Sequence, residues 1–109
     1  MKHITPDEIK NKKEQYILLD IREDHERARD GAIPGSESIN GSKLDIYKLT
    51  EFFKEHNGEH IVVYCNSGAR SESLIEVVNK NNIYHKDKIS NLKGGFQIWK
   101  ASLYEIEYP

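Results

Sequence analysis

The stretch Ile61-Val62-Val63-Tyr64-Cys65-Asn66-Ser67-Gly68-Ala69-Arg70-Ser71 decides the fold. Its first four residues are apolar and mostly β-branched, the composition of a central strand covered on both faces. A glycine-containing turn follows. Beyond it, Leu74, Ile75, Val77 and Val78 give a helix one buried face until Asn81-Asn82 weakens it. The same alternation continues outward. Upstream, Tyr16-Ile17-Leu18-Leu19-Asp20 is a second continuous apolar run, and downstream Ile89 to Leu92 reads as a last short strand. Thr5-Pro6-Asp7-Glu8 opens a helix with Thr5 as N-cap and Glu8 completing a capping box. His25 to Asp30 forms a short helix closed by Gly31, and Ile33-Pro34-Gly35 marks a turn. From Leu44 to His56, apolar side chains at Ile46, Leu49, Phe52 and Phe53 predict a helix stopped by Asn57-Gly58. A terminal helix is expected around Phe96 to Leu103. Strands alternating with helices predict an α/β domain with a parallel sheet covered on both faces.

The chain of 109 residues is expected to form one domain, 1–109, whose core needs no disulfide or metal staple. A net charge of −2, from 16 basic and 18 acidic residues, excludes a general nucleic-acid binder, which needs a dense basic surface. No apolar run is long enough for a membrane span, and Met1-Lys2-His3-Ile4-Thr5-Pro6 lacks the apolar core of a secretory signal. A cytoplasmic location is therefore expected. The lone Cys65 excludes an internal disulfide. His56 and His60 have the separation of a helical metal pair, but Asn57-Gly58 between them ends the helix, so neither a metal nor a cofactor is expected.

A lone cysteine is ordinarily a small buried hydrophobe. Cys65 has a different context. It is the first residue past the strongest strand, at the end of a parallel sheet where ligands bind. The loop from Asn66 to Ser71 then enters a helix, so its backbone N–H groups can converge on one centre with the positive end of the helix dipole behind them. Gly68 permits the tight curvature, and Arg70 is suited to grip an oxyanion with its planar fork. Ser71 is placed to cap the helix or to offer its hydroxyl to the sulfur. Together these groups favour the thiolate, which makes Cys65 a nucleophile at neutral pH. Lys86, Lys88 and Lys93 read as solvated surface charges rather than as a positive field over this loop.

Four segments in order resemble the rhodanese family of sulfurtransferases: Asp20-Ile21-Arg22-Glu23, Gly31-Ala32-Ile33-Pro34-Gly35, the loop Cys65 to Ser71, and Gly94-Gly95-Phe96-Gln97-Ile98-Trp99. The resemblance implies a three-layer domain with a mostly parallel sheet of about five strands. It also implies that Cys65 carries sulfur as a persulfide cradled by the N–H groups of Asn66, Ser67, Gly68, Ala69, Arg70 and Ser71. Arg70 would assist anion binding, Asp20 and Arg22 would stiffen the scaffold, and Trp99 would pack. Family members commonly have histidine at the position of Ala32. The small partner would be an anionic sulfur donor such as thiosulfate. The acceptor would be cyanide, a thiol or a thioredoxin-like protein. Cysteine phosphatases and arsenate reductases form the nearest enzymatic rival, but they resemble Cys-x5-Arg, whereas Cys65 and Arg70 have four residues between them. A shorter loop closes a smaller cradle. A binding or sensing module without turnover is a further rival, as is a persulfide carrier serving a protein partner.

Overall fold

The computed structural model describes residues 1–109 and contains five strands and five α-helices in alternation. In chain order these are β1 (Lys2–Ile4), α1 (Pro6–Asn11), β2 (Tyr16–Asp20), α2 (Asp24–Asp30), β3 (Glu37–Ser38), α3 (Ile46–Glu55), β4 (His60–Tyr64), α4 (Ala69–Lys80), β5 (Ile89–Leu92) and α5 (Gly95–Ala101). The sheet order is β1-β5-β4-β2-β3, and every strand pair is parallel. β4 lies at the centre, and its register sets Asp20 opposite Tyr64.

The two-residue period of β4 divides the core. Ile61, Val63 and Cys65 face one layer with Leu49, Phe52, Phe53, Ile75 and Val78 of α3 and α4. Val62 and Tyr64 face the other, with Ile9 of α1 and Phe96 and Trp99 of α5. Each fully buried aliphatic side chain in these layers contributes about 1.5–3 kcal/mol, and both layers meet at the strand that leads into Cys65.

The helix signals correspond to physical caps. Thr5 Oγ1 accepts the Glu8 N–H at 3.2 Å, and the Glu8 carboxylate accepts the Thr5 N–H at 3.3 Å. α3 starts at Ile46, where Asp45 Oδ1 accepts the Lys48 N–H at 2.9 Å. Two apolar positions depart from expectation. Ile46 and Val77 are 49% and 52% exposed, because each lies off the stripe that its helix turns toward the sheet. The sequence pattern also misses both edge strands. β1 buries only Ile4, while both residues of β3 are exposed. Ala32 is fully buried and forms an isolated antiparallel bridge with Glu107, a pairing that ties the C-terminal tail beneath the α2–β3 connection. Trp99 packs as expected, its indole N–H donating to the Glu105 carbonyl at 2.9 Å. No helix is long and apolar enough to cross a membrane.

Candidate active site

β4 ends at Tyr64, so Cys65 is the first residue of the connection into α4. Its residue surface is 0% exposed, with the sulfur at the floor of the loop. Gly68 turns the chain with φ of +100°, a left-handed conformation that costs other residues about 1 kcal/mol or more, and its N–H donates to Cys65 Sγ at 3.1 Å. The N–H groups of Arg70 and Ser71, in the first turn of the 12-residue α4, add to the field at the sulfur. That of Ala69 turns away, to Ser67 Oγ at 3.3 Å. Asn66 is half-buried, and Ser67, Ala69 and Arg70 line the exposed rim.

Burial alone pushes the thiol pKa up. The Ser71 hydroxyl and the N–H groups of Ser71, Gly68 and Arg70 outweigh that cost and hold it below the ordinary value. Ser71 has one hydroxyl proton and three acceptors: Asn91 Oδ1 at 2.5 Å, the Gly68 carbonyl at 3.1 Å and Cys65 Sγ at 3.5 Å. Against a neutral thiol the proton favours the nearer amide oxygen. Once the sulfur is anionic, a charge-assisted bond competes for it. Asn91 on β5 is thus a buried buttress of the site that the sequence did not reveal.

Arg70 is placed differently from the expected oxyanion fork. Its guanidinium makes two bonds to Glu26 of α2, at 2.9 and 3.0 Å. Its charge still acts on the sulfur through space. Asp20 and Arg22 form the floor beside the loop. The Asp20 carboxylate accepts the Arg22 backbone N–H at 2.9 Å, Arg22 Nη2 at 2.8 Å and Arg27 Nη1 at 2.8 Å. Arg22 also donates to the Gly31 carbonyl at 2.7 Å, and its guanidinium lies 4.1 Å from the Phe96 ring centroid. Burial lowers the Arg22 pKa, but the Asp20 hydrogen bonds and charge hold it above its ordinary value. Neighbouring Tyr64 is pushed up to about 12, chiefly by burial, so its hydroxyl stays neutral while it accepts the Ile33 N–H at 3.2 Å.

Lys86 and Lys88 lie before β5, at the opposite end of the sheet from Cys65, and Lys88 donates to the Gly58 carbonyl at 2.9 Å. Only Lys93 follows β5 toward the loop. His56 and His60 face different partners. His60 Nε2 meets Ser90 Oγ at 2.8 Å, while the His56 ring faces Glu37 and Glu59 at 2.8 and 2.9 Å.

The loop is clamped from outside by α5. The Phe96 and Gln97 N–H groups donate to the carbonyls of Cys65 and Asn66 at 2.8 and 3.0 Å. Gly95, with φ of +65°, permits this approach, since a Cβ there would stand 2.5 Å from Asn66 O and 2.7 Å from Cys65 O. Gly95→Ala is expected to lower stability by roughly 2–4 kcal/mol, combining overpacking with backbone strain. It should also slow alkylation of Cys65 in the folded protein, because the loop must shift. Urea unfolding together with iodoacetamide kinetics checks both; unchanged alkylation would show that the clamp does not shape the loop.

Comparison with known proteins adds the lineage. The family model described as Rhodanese-like domain matches residues 5–102. A rhodanese-related protein from Thermoplasma volcanium shares the fold with a TM-score of 0.79 and 24% identity, the match covering 100% of both chains. A rhodanese-like domain protein from Staphylococcus aureus is 30% identical with a TM-score of 0.68, covering 91% of each chain. Among curated proteins, an adenylyltransferase and sulfurtransferase from Arabidopsis thaliana is 27% identical over 108 residues. That match covers 88% of this chain and 22% of the relative, so the chain spans about a fifth of that protein's length.

Proposed function

The chain belongs to the rhodanese-like domain family, and from that membership we propose that it is a sulfurtransferase whose carrier is Cys65. One observation carries the reading: Cys65 Sγ, at the end of the central strand, accepts the Gly68 N–H at 3.1 Å beneath the first turn of α4. Such a sulfur is a preformed nucleophile, and the same amides can hold the negative charge of a persulfide. In the first half-reaction the Cys65 thiolate attacks the outer sulfur of thiosulfate or a related sulfane donor. The donor S–S bond breaks, sulfite leaves with its electron pair, and Cys65–S–S⁻ remains. In the second, cyanide or a thiolate attacks the terminal sulfur and regenerates the Cys65 thiolate. No proton transfer is required in either step, so no general base is needed. The relative from Arabidopsis thaliana, named a sulfurtransferase, supports the class of chemistry. The Glu26 pairing of Arg70 supports it over phosphoryl transfer, which needs that fork on the substrate's oxygens.

Incubation with thiosulfate followed by intact mass measurement is expected to show one added sulfur atom, one sulfite released, and loss of the added atom on treatment with cyanide. A mass that stays unchanged would overturn the proposal. Sulfur gained but passed to neither cyanide nor small thiols, only to a thioredoxin-like acceptor, would make the protein a dedicated carrier.

A further inference from the structure

We infer that Glu26 makes this site discriminate by donor charge, favouring a singly charged sulfane donor bearing an organic group over dianionic thiosulfate. The inference rests on the sulfur-transfer reading and names the donor class for that same cysteine. Arg70 is the one cationic side chain of the loop, and its two-bond pairing with Glu26 sets a fixed negative charge beside it. The two partners are not equally mobile. The Arg70 side chain is 48% exposed, whereas that of Glu26 is 15% exposed, and its Oε1 also accepts the Glu23 N–H at 3.0 Å in the capping box that starts α2. The carboxylate is therefore anchored to the fold, and an incoming anion must either draw Arg70 away from it or sit beside it. Both routes penalise a second negative charge. Arg22 and Arg27 do not compensate, since they share Asp20 and are buried. Small side chains at Ser67 and Ala69 leave the rim open to an organic substituent.

Thiosulfate and methanethiosulfonate form a suitable pair of probes. The second replaces one sulfonate oxygen by a methyl group and removes one charge. Transfer balances in each case, with the donor S–S bond broken and either sulfite or methanesulfinate departing with the electron pair as Cys65–S–S⁻ forms. In Glu26→Gln the amide oxygen can still accept the Glu23 N–H, so the start of α2 is kept. Removing a charge near a partly exposed site is expected to raise kcat/KM for thiosulfate about five- to tenfold at low salt. Methanethiosulfonate, with one charge fewer, should gain only about two- to threefold, and both gains should shrink as salt screens the field. A structural role for Glu26 would change both donors equally and without salt dependence. An unchanged or reduced ratio between donors in Glu26→Gln, with wild-type uptake of sulfur intact by mass, overturns the role of Glu26 alone. Absence of uptake from either donor by the wild type overturns the sulfur-transfer reading itself and the inference with it.

Discussion

Replacing Cys65 by serine is expected to reduce sulfur transfer from thiosulfate to cyanide to the uncatalysed background while leaving a cooperatively folded protein. The loss follows from acidity. The amides and hydroxyl around the sulfur outweigh its burial and hold the thiol pKa below its ordinary value, so the thiolate forms more readily than in a free cysteine. The same groups cannot ionise a serine hydroxyl at neutral pH. A serine oxygen can still accept the Gly68 N–H, so the cost to stability should be about 1–2 kcal/mol, reflecting a more polar atom in a buried position. The pH profile supplies an independent check. Because the thiolate reacts and accumulates above its pKa, a lowered pKa shifts the rise of the wild-type rate to lower pH, followed by a plateau. Steady-state transfer measured across pH should therefore give an apparent pKa below about 8.5 in the wild type and no titrating rate in Cys65→Ser. A rate in the serine variant that rises with the same profile would place the chemistry elsewhere.

The sequence reveals those parts of the structure whose causes lie close together along the chain. β2 and β4 are legible because strands covered on both faces are nearly continuous apolar runs, whereas β5 shows only Ile89 and Leu92 around the buried polar pair Ser90 and Asn91. β1 and β3 are edges, so their burial is partial or absent and no periodicity survives in two or three residues. Ile46 and Val77 show the limit of composition. An apolar side chain marks a helix, but its angle around that helix decides whether it meets the sheet. The residues 65–71 are contiguous, so the turn, the glycine and the following helix are visible together. Glu26, Asn91 and the Gly95 clamp come from elsewhere in the chain. The partner of Arg70 is 44 positions away, and no local pattern encodes that pairing. Arg70 is legible as a cation of the loop, but its pairing with Glu26 is not.

Removal of the Asp20 carboxylate, as in Asp20→Ala, is expected to destabilise the fold by about 3–5 kcal/mol, the usual cost of orphaning a buried charge. Asp20 is fully buried at the end of β2 and serves two guanidiniums, Arg22 and Arg27, which are themselves buried. A domain of this size has only about 5–15 kcal/mol of total stability, so the loss removes a large share of it. Urea unfolding should show the midpoint falling with little change in slope. The second variant separates charge from packing. Arg22 already rests against the Phe96 ring at 4.1 Å and the Tyr64 ring at 5.6 Å, an environment suited to a thioether. Asp20→Ala combined with Arg22→Met should recover part of the loss, because it removes the orphaned cation as well as its partner. Recovery stays partial, since Arg27 also loses its strongest partner and retains only Ser36 Oγ at 3.3 Å. If the double variant were less stable than the single one, or if the single variant cost under about 1 kcal/mol, the charge network would not be what holds the end of β2 beside the cysteine loop.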